Sequence, residues 1–282
     1  MTRAPLPNAM TIDVEDYFQV SAFAPHIARS SWAALPCRVE RNVDVVLALL
    51  DQRQVRATFF TLGWIARRYP AMVRAIADAG HEVASHGYAH VRASDQSRIQ
   101  FRRDILRSKH LLEDIAGRPV LGYRAPSFSL MPGSRWAFDT LFHSGYRYSS
   151  SVYPIAHDHY GAPDSPRFAF YPVSRSGILE LPVSTVRLFG RNLPAGGGGY
   201  FRLYPYGVSR WFLRRINHLE RQAGIFYFHP WELDPGQPRQ RDIPMKTRFR
   251  HYLNLDRTEP RLLALTRDFR WDRIDNIFPV QP

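Results

Sequence analysis

Two imidazoles four residues apart, His86 and His90, stand in the run His-Gly-Tyr-Ala-His. That spacing sets both on one side of a helical turn or folded loop, where they can reach one cation. A carboxylate beside them would complete a three-ligand site with a position open to water, as in zinc hydrolases. The zinc-protease pattern HExxH is absent, because Gly87 stands where that mechanism needs glutamate. Acids come from the opening segment, Asp13-Val14-Glu15-Asp16, at the end of an apolar stretch. Strand alternation sends Asp13 and Glu15 to one face, and like charges this close cost energy unless a cation or proton offsets them. Each group also has a plain structural use: a histidine satisfied in the core, or acids at a helix N-terminus followed by buried Tyr17 and Phe18.

Residues so far apart need a scaffold that gathers them, and the chain alternates strand and helix signals as a parallel α/β fold does. The pattern predicts strands over 9–13, 57–62, 81–85, 120–123, 146–152, 178–181 and 225–229. Between them it predicts helices over 42–54, from Pro70 to Gly80, from Phe101 to Gly117, 134–142, and from Val208 to a stop at Gly224. In such folds the C-terminal ends of the strands carry the site, which is where Asp13, His86, His90 and His229 fall. The stretch 154–206, rich in Pro, Gly and aromatics, reads as an elaborated loop region. The chain reads as one domain over 8–282, with a C-terminal extension from about residue 235.

A length of 282 residues suits one large α/β domain, and 45% hydrophobic with 22% charged residues supplies a core. The longest apolar run, Val45 to Leu50, is far short of the ~18 residues a membrane span needs. The N-terminus lacks the pattern of a signal peptide, so the sequence predicts a soluble, unprocessed, cytoplasmic protein. Cys37 is the single cysteine, which excludes an internal disulfide and a cysteine-based zinc site, leaving histidine to supply metal chemistry. The net charge is +13, yet all basic residues but Lys109 and Lys246 are arginines spread along the chain. A dispersed excess argues against a nucleic-acid-binding stripe.

The ordered set of Asp13 with its neighbouring acids, His86-x-x-x-His90, Arg124-Ala125-Pro126 and Phe226-Tyr227-Phe228-His229-Pro230 resembles the polysaccharide deacetylases, the NodB-homology or carbohydrate esterase family 4. The stretch from Ala57-Thr58-Phe59-Phe60 through Gly80 to His86 is similar to the same family, and the likeness extends over roughly residues 8 to 235. The Asp13 to Phe18 opening, Tyr160-Gly161, Gly199-Tyr200-Phe201-Arg202 and His229-Pro230-Trp231-Glu232 resemble a subgroup found with exopolysaccharide and exosortase systems. The resemblance implies a distorted (β/α) barrel that uses a divalent metal, commonly zinc, to remove acetyl groups from N-acetylated poly- or oligosaccharides. It further implies that His86 and His90 are metal ligands, Asp13 the general base, His229 the general acid, and Arg124 the partner that orients Asp13. Those roles suit amide hydrolysis, because a divalent metal lowers the pKa of its water to about 7 and an imidazole can protonate the departing amine. The backbone N–H of Ser127 would face the developing oxyanion, and Trp231 would contact sugar.

Three departures from the family pattern stand out. Valine follows Asp13 where a second aspartate is usual, so the metal carboxylate is Glu15 or Asp16; shared strand face favours the first and side-chain length the second. Serines occupy Ser149 to Ser151, where an aspartate would tune the acid, leaving Glu232 or Asp234 as substitutes. Ser127 replaces an aromatic. His157-Asp158-His159 reads as a loop touching substrate or solvent rather than a second metal cluster, and Gly196 to Gly199 as a flexible loop, since no P-loop lysine follows. The alternatives are an amidohydrolase of small cyclic or ureido substrates and a glycan-binding relative without turnover.

Overall fold

The computed structural model describes residues 6–280 except 132, 159, 174–176 and 241. A parallel sheet is built from β1 (Asn8–Val14), β2 (Thr58–Thr61), β3 (Glu82–Ser85), β4 (Gly122–Tyr123), β5 (Tyr148–Ser149) and β6 (Leu179–Glu180), paired in that order. The hairpin β7 (Thr185–Leu188) and β8 (Arg191–Pro194) is antiparallel and stands apart. Two late strands, β9 (Ile225–Phe228) and β10 (Trp271–Asp272), both run parallel to β1. The Ser184 amide donates to the Ile225 carbonyl at 3.2 Å, which brings the chain beyond β6 round to β9. The sheet thus curls into a partial barrel, the distorted (β/α) form expected from the sequence.

Helices pack outside it: α1 (Val39–Gln52), α2 (Gly63–Arg68), α3 (Pro70–Asp78), α4 (Arg98–Ala116) and α5 (Arg135–His143) follow successive strands. Then come α6 (Gly198–Leu203), α7 (Tyr206–Arg214), α8 (Met245–Tyr252), α9 (Thr258–Asp268) and α10 (Ile274–Ile277). Local chemistry sets several ends. Ser97 and Gln100 form a reciprocal capping box on α4, and Gly117 closes that helix at φ 66°. Pro70 starts α3 where its missing N–H costs nothing.

β1 shows the alternation that positions the site. Met10, Ile12 and Val14 face the helices in the main hydrophobic core, whereas Ala9 joins Phe60, Ala84, Tyr148 and Ile225 in a smaller cluster inside the curl. Thr11 and Asp13 share that inner face, and polar contacts replace apolar ones toward the C-terminal strand ends. The stretch read as one elaborated loop contains β6, the β7–β8 hairpin and α6, and the segment after residue 235 supplies three helices and β10. Of these only β6 carries a strand signal, read at 178–181, and the others lie in polar or Pro- and Gly-rich stretches without a clear one. Gly196 and Gly197 are buried, and they lie beside β9, where Gly197 is bridged to Tyr227 and the Tyr227 N–H donates to the Gly196 carbonyl at 2.7 Å.

Candidate active site

The His86–His90 segment is a folded loop. β3 ends at Ser85, Gly87 turns the chain at φ 73°, and His90 is also left-handed at φ 51°. A side chain on Gly87 would collide with Asp104 Oδ2 at 2.8 Å as well as strain the backbone. α4 holds the loop from below: Tyr88 N–H donates to Asp104 Oδ2 (3.0 Å) and Ser108 Oγ to the Gly87 carbonyl (3.0 Å). Arg29 donates to the Ala89 and His90 carbonyls at 2.9 and 3.0 Å. The loop is therefore fixed by partners on both sides, which sets the two rings 5.3 Å apart between centroids.

Glu15, His86 and His90 offer ligand atoms that all lie within 4.8 Å of one another, and all three are buried. His86 Nδ1–H donates to the Arg124 carbonyl at 2.9 Å, which leaves Nε2 with its lone pair free. Burial lowers the His86 pKa to about 4, so the ring is neutral, as a ligand must be. Glu15 Oε2 lies 3.0 Å from His90 Nε2 yet is a buried oxygen that receives no hydrogen bond. Two imidazole nitrogens and an orphaned carboxylate oxygen form a donor set that fits a divalent cation such as zinc.

Asp16 is not part of this cluster. It points to the other side of the chain, where Oδ1 accepts from Tyr17 N–H (2.8 Å) and Oδ2 from the N–H groups of Arg38 (2.5 Å) and Val39 (3.0 Å). Those donors open α1, so Asp16 serves a helix N-terminus. The alternation that turns Asp13 and Glu15 inward turns Asp16 toward the helix layer.

Asp13 is buried beside the cluster. Arg124 Nη1 donates to its Oδ1 at 2.6 Å, and also to Thr11 Oγ1 at 2.8 Å. Arg124 is wholly buried, with Nε donating to the Ser150 carbonyl (2.9 Å) and Nη2 to Ser150 Oγ (2.8 Å). Ser151 Oγ accepts the Ala125 N–H at 2.8 Å. The serine run thus grips the Arg124 strand end. A carboxylate does occupy this region, supplied by the adjacent strand: Glu180 Oε1 accepts the N–H groups of Ser151 and Val152, each at 2.8 Å. Burial raises its pKa to about 7 against those hydrogen bonds.

His229 follows β9 and points both nitrogens at carboxylates: Nε2 is 3.0 Å from Glu15 Oε1, and Nδ1 is 2.8 Å from Glu232 Oε1. Burial alone would lower its pKa, but Glu15 and then Glu232 outweigh it and raise it to about 10. Glu232 is reached by a short turn in which its side chain also accepts the His229 N–H at 3.0 Å. Its other oxygen takes Arg202 Nε at 2.6 Å; burial opposes ionisation, yet Arg202 and His229 bring its pKa down to about 2. Asp234 instead pairs with Arg38. Arg202 was read from the sequence only as part of the Gly199 to Arg202 segment and was given no role in the site, because an arginine in an aromatic run carries no spacing signal. Gly198 is required here, since a Cβ would stand 2.2 Å from Glu232 Oε1.

Trp231 lines the cavity but is only 4% exposed, stacked on His229 (5.1 Å) and His251 (4.2 Å). It offers no open face for a sugar ring and instead braces the His229 imidazole. Ser127 lines the cavity at a left-handed φ of 56°, its hydroxyl against that of Ser21. His157 also lines it, stacked on Tyr160, while Asp158 pairs with α8 and His159 lies outside the described residues. The cavity has a volume of about 390 Å³, with Asp13, Glu15, His86, His90 and His229 at its floor and Tyr160, Tyr200 and Tyr227 on its walls. That volume suits one or two sugar units.

Residues 34–137 match the family model of polysaccharide deacetylases, and residues 150–279 match that of DUF3473, a domain of unknown function. The first span holds His86, His90 and Arg124, the second His229 and Glu232, and Asp13 and Glu15 precede both. A peptidoglycan-N-acetylglucosamine deacetylase of Bacillus cereus is 31% identical over 98 residues, 34% of this chain and 36% of that protein. A chitooligosaccharide deacetylase of Azorhizobium caulinodans is 32% identical over 82 residues, 29% of this chain and 39% of that protein. The chain thus spans less than half the length of these curated relatives. Among solved structures, a candidate polysaccharide deacetylase from Mycobacterium smegmatis superposes with a TM-score of 0.59 at 21% identity, covering 98% of this chain and 93% of the other. The PuuE allantoinase gives 0.61 at 15%, covering 98% and 90%. At these identities the two structures share the fold. Among the described residues no helix is long and apolar enough to cross a membrane.

Proposed function

We propose that this protein is a metal-dependent N-deacetylase that hydrolyses the acetamide of N-acetylhexosamine units in a polysaccharide or its lipid-linked precursor. The observation that carries this is the convergence of Glu15, His86 and His90 on one point, with the Asp13 carboxylate and the His229 imidazole beside it at the floor of a sugar-sized cavity. The relatives named as peptidoglycan and chitooligosaccharide deacetylases support the substrate class.

Glu15, His86 and His90 would hold the cation, zinc first among the candidates, and when bound it supplies activation of water and polarisation of the acetamide carbonyl. Asp13, oriented by Arg124, is the base that takes a proton from the attacking water. His229, fixed through Nδ1 by Glu232 and braced by Trp231, is the acid whose Nε2 gives a proton to the departing amine. Ser127 lines the cavity, and its backbone N–H would be a donor for the carbonyl oxygen. The tyrosine walls exclude water from the floor.

A role in exopolysaccharide assembly is supported by the Asp13 to Phe18 opening and the Gly199 to Arg202 and His229 to Glu232 segments, and our reading sets that role on the cytoplasmic side. The decisive experiment is acetate release from N-acetylglucosamine oligomers by metal-loaded protein. Release that stops on chelation and in His86→Ala supports the proposal. No release with any divalent metal defeats it.

A further inference from the structure

Deacetylation chemistry uses the floor of the cavity and leaves its mouth without a role. Three cations line the cavity away from the floor: Arg92, just after the His90 loop, and Lys246 and Arg250 on α8. Lys246 and Arg250 are four residues apart on one face of that helix, 68% and 45% exposed, and both bind Asp158 Oδ2, at 2.8 and 3.0 Å. Two cations sharing one carboxylate leave a positive excess. Arg92 adds to it, since its side chain makes no ion pair among the described residues. The acids lining the cavity do not offset this charge. Asp13 is taken by Arg124, Glu15 lies between His90 and His229, and Glu232 is shared by His229 and Arg202. Beside the cations, Phe249 and Leu203 line the same cavity while 61% and 49% exposed, an apolar ledge of the kind a sugar face covers.

We infer that the mouth is a subsite for an anionic group, a carboxylate or phosphate, on a sugar next to the one at the floor. The physiological polymer is then an acidic glycan rather than a neutral one. This rests on reading the floor as a deacetylation site and extends it to the class of chain. The guanidinium groups of Arg92 and Arg250 offer paired donors that match carboxylate and phosphate oxygens, and the overall charge of +13 draws a polyanion toward the mouth.

The test is calorimetric binding of three tetrasaccharides to the metal-loaded protein: neutral N-acetylglucosamine, N-acetylhexosamine alternating with hexuronic acid, and a phosphorylated N-acetylglucosamine form. Two or three part-exposed charge contacts predict about tenfold tighter binding of an acidic form in about 0.05 M salt, with most of the gain lost in about 0.5 M. Arg92→Gln and the double variant Lys246→Gln/Arg250→Gln each reduce the acidic-to-neutral ratio. Preference for the uronate or the phosphorylated form alone identifies the source of the charge. Equal binding of all three, or a preference that both variants retain, overturns the subsite. Acetate release from the neutral tetramer, measured in parallel, reports on the floor: release without acidic preference sinks only the subsite, and acidic preference without release sinks only the chemistry.

Discussion

Glu232 holds His229 and Arg202 with its two oxygens, Oε1 at 2.8 Å from His229 Nδ1 and Oε2 at 2.6 Å from Arg202 Nε. One carboxylate therefore fixes the imidazole that faces the centre and anchors itself to a buried guanidinium. Glu232→Gln keeps the size and loses the charge. Loss of such a supporting partner lowers turnover by about 10- to 100-fold, with KM little changed. It also leaves Arg202 in the interior without a counter-ion, held only by the carbonyls of Arg250, His251 and Leu253, which costs about 3 kcal/mol. Acetate-release kinetics and chemical denaturation read the two effects separately.

Glu15 and Asp16 are adjacent and do different things, which gives a sharp contrast. Glu15→Gln abolishes stoichiometric metal binding, measured by elemental analysis after dialysis. Asp16→Asn retains the metal and loses stability instead, by about 1–2 kcal/mol for a weakened helix N-terminus.

Arg124→Met strands the Asp13 carboxylate in the interior and destabilises by about 3–5 kcal/mol. Adding Asp13→Asn removes the stranded charge and recovers part of that loss in urea denaturation, while acetate release stays abolished. Recovery of both stability and activity would contradict the role given to Asp13.

Glu180 carries a pH signature. Its pKa rises from 4.5 to about 7 on folding, so the native state keeps a proton that the unfolded chain releases between those values. Stability conferred by the protonated group is complete below pH 4.5 and declines as pH rises toward 7, by on the order of 3 kcal/mol. Glu180→Gln still accepts the Ser151 and Val152 N–H groups and flattens this part of the profile. Denaturant titrations of wild type and variant at pH 5 and 8, in chelator, give the difference.

Gly198→Ala drives a methyl group toward Glu232 Oε1, where only 2.2 Å is available. Turnover falls together with the His229–Glu232 geometry, and the melting temperature drops by several degrees for a strain of about 1–3 kcal/mol. A variant as active as wild type would show that Glu232 can shift without cost.

The sequence made the parallel α/β fold legible because each early strand and helix carries its own punctuation, such as Pro70 before α3 and Gly117 after α4. Asp13, His86, His90, Arg124 and His229 were legible as a set through spacing and order. The choice between Glu15 and Asp16 turned on what lies behind β1, namely the N–H groups of Arg38 and Val39, and no spacing rule reports that. The same holds for Glu180 and Arg202, which reach the centre from neighbouring elements. Trp231 looked like a sugar platform because exposure cannot be read from residue type; its partner His251 arrives from α8, twenty residues on. The β7–β8 hairpin and β10 escaped notice because Arg187, Arg191, Asn192 and Asp272 leave them without the apolar run that marked the other strands.

β1 has all seven residues buried and takes β2, β9 and β10 as neighbours, with Asn8 opposite Trp271. β1 therefore waits for β9 and β10, far later in the sequence, before its pairing is complete, a long-range closure of the kind that slows folding and exposes sticky surface. Shortening the chain from its far end acts directly on the seat of Asp13, and a fragment cut to the deacetylase-like stretch 34–137 would lack the acids altogether.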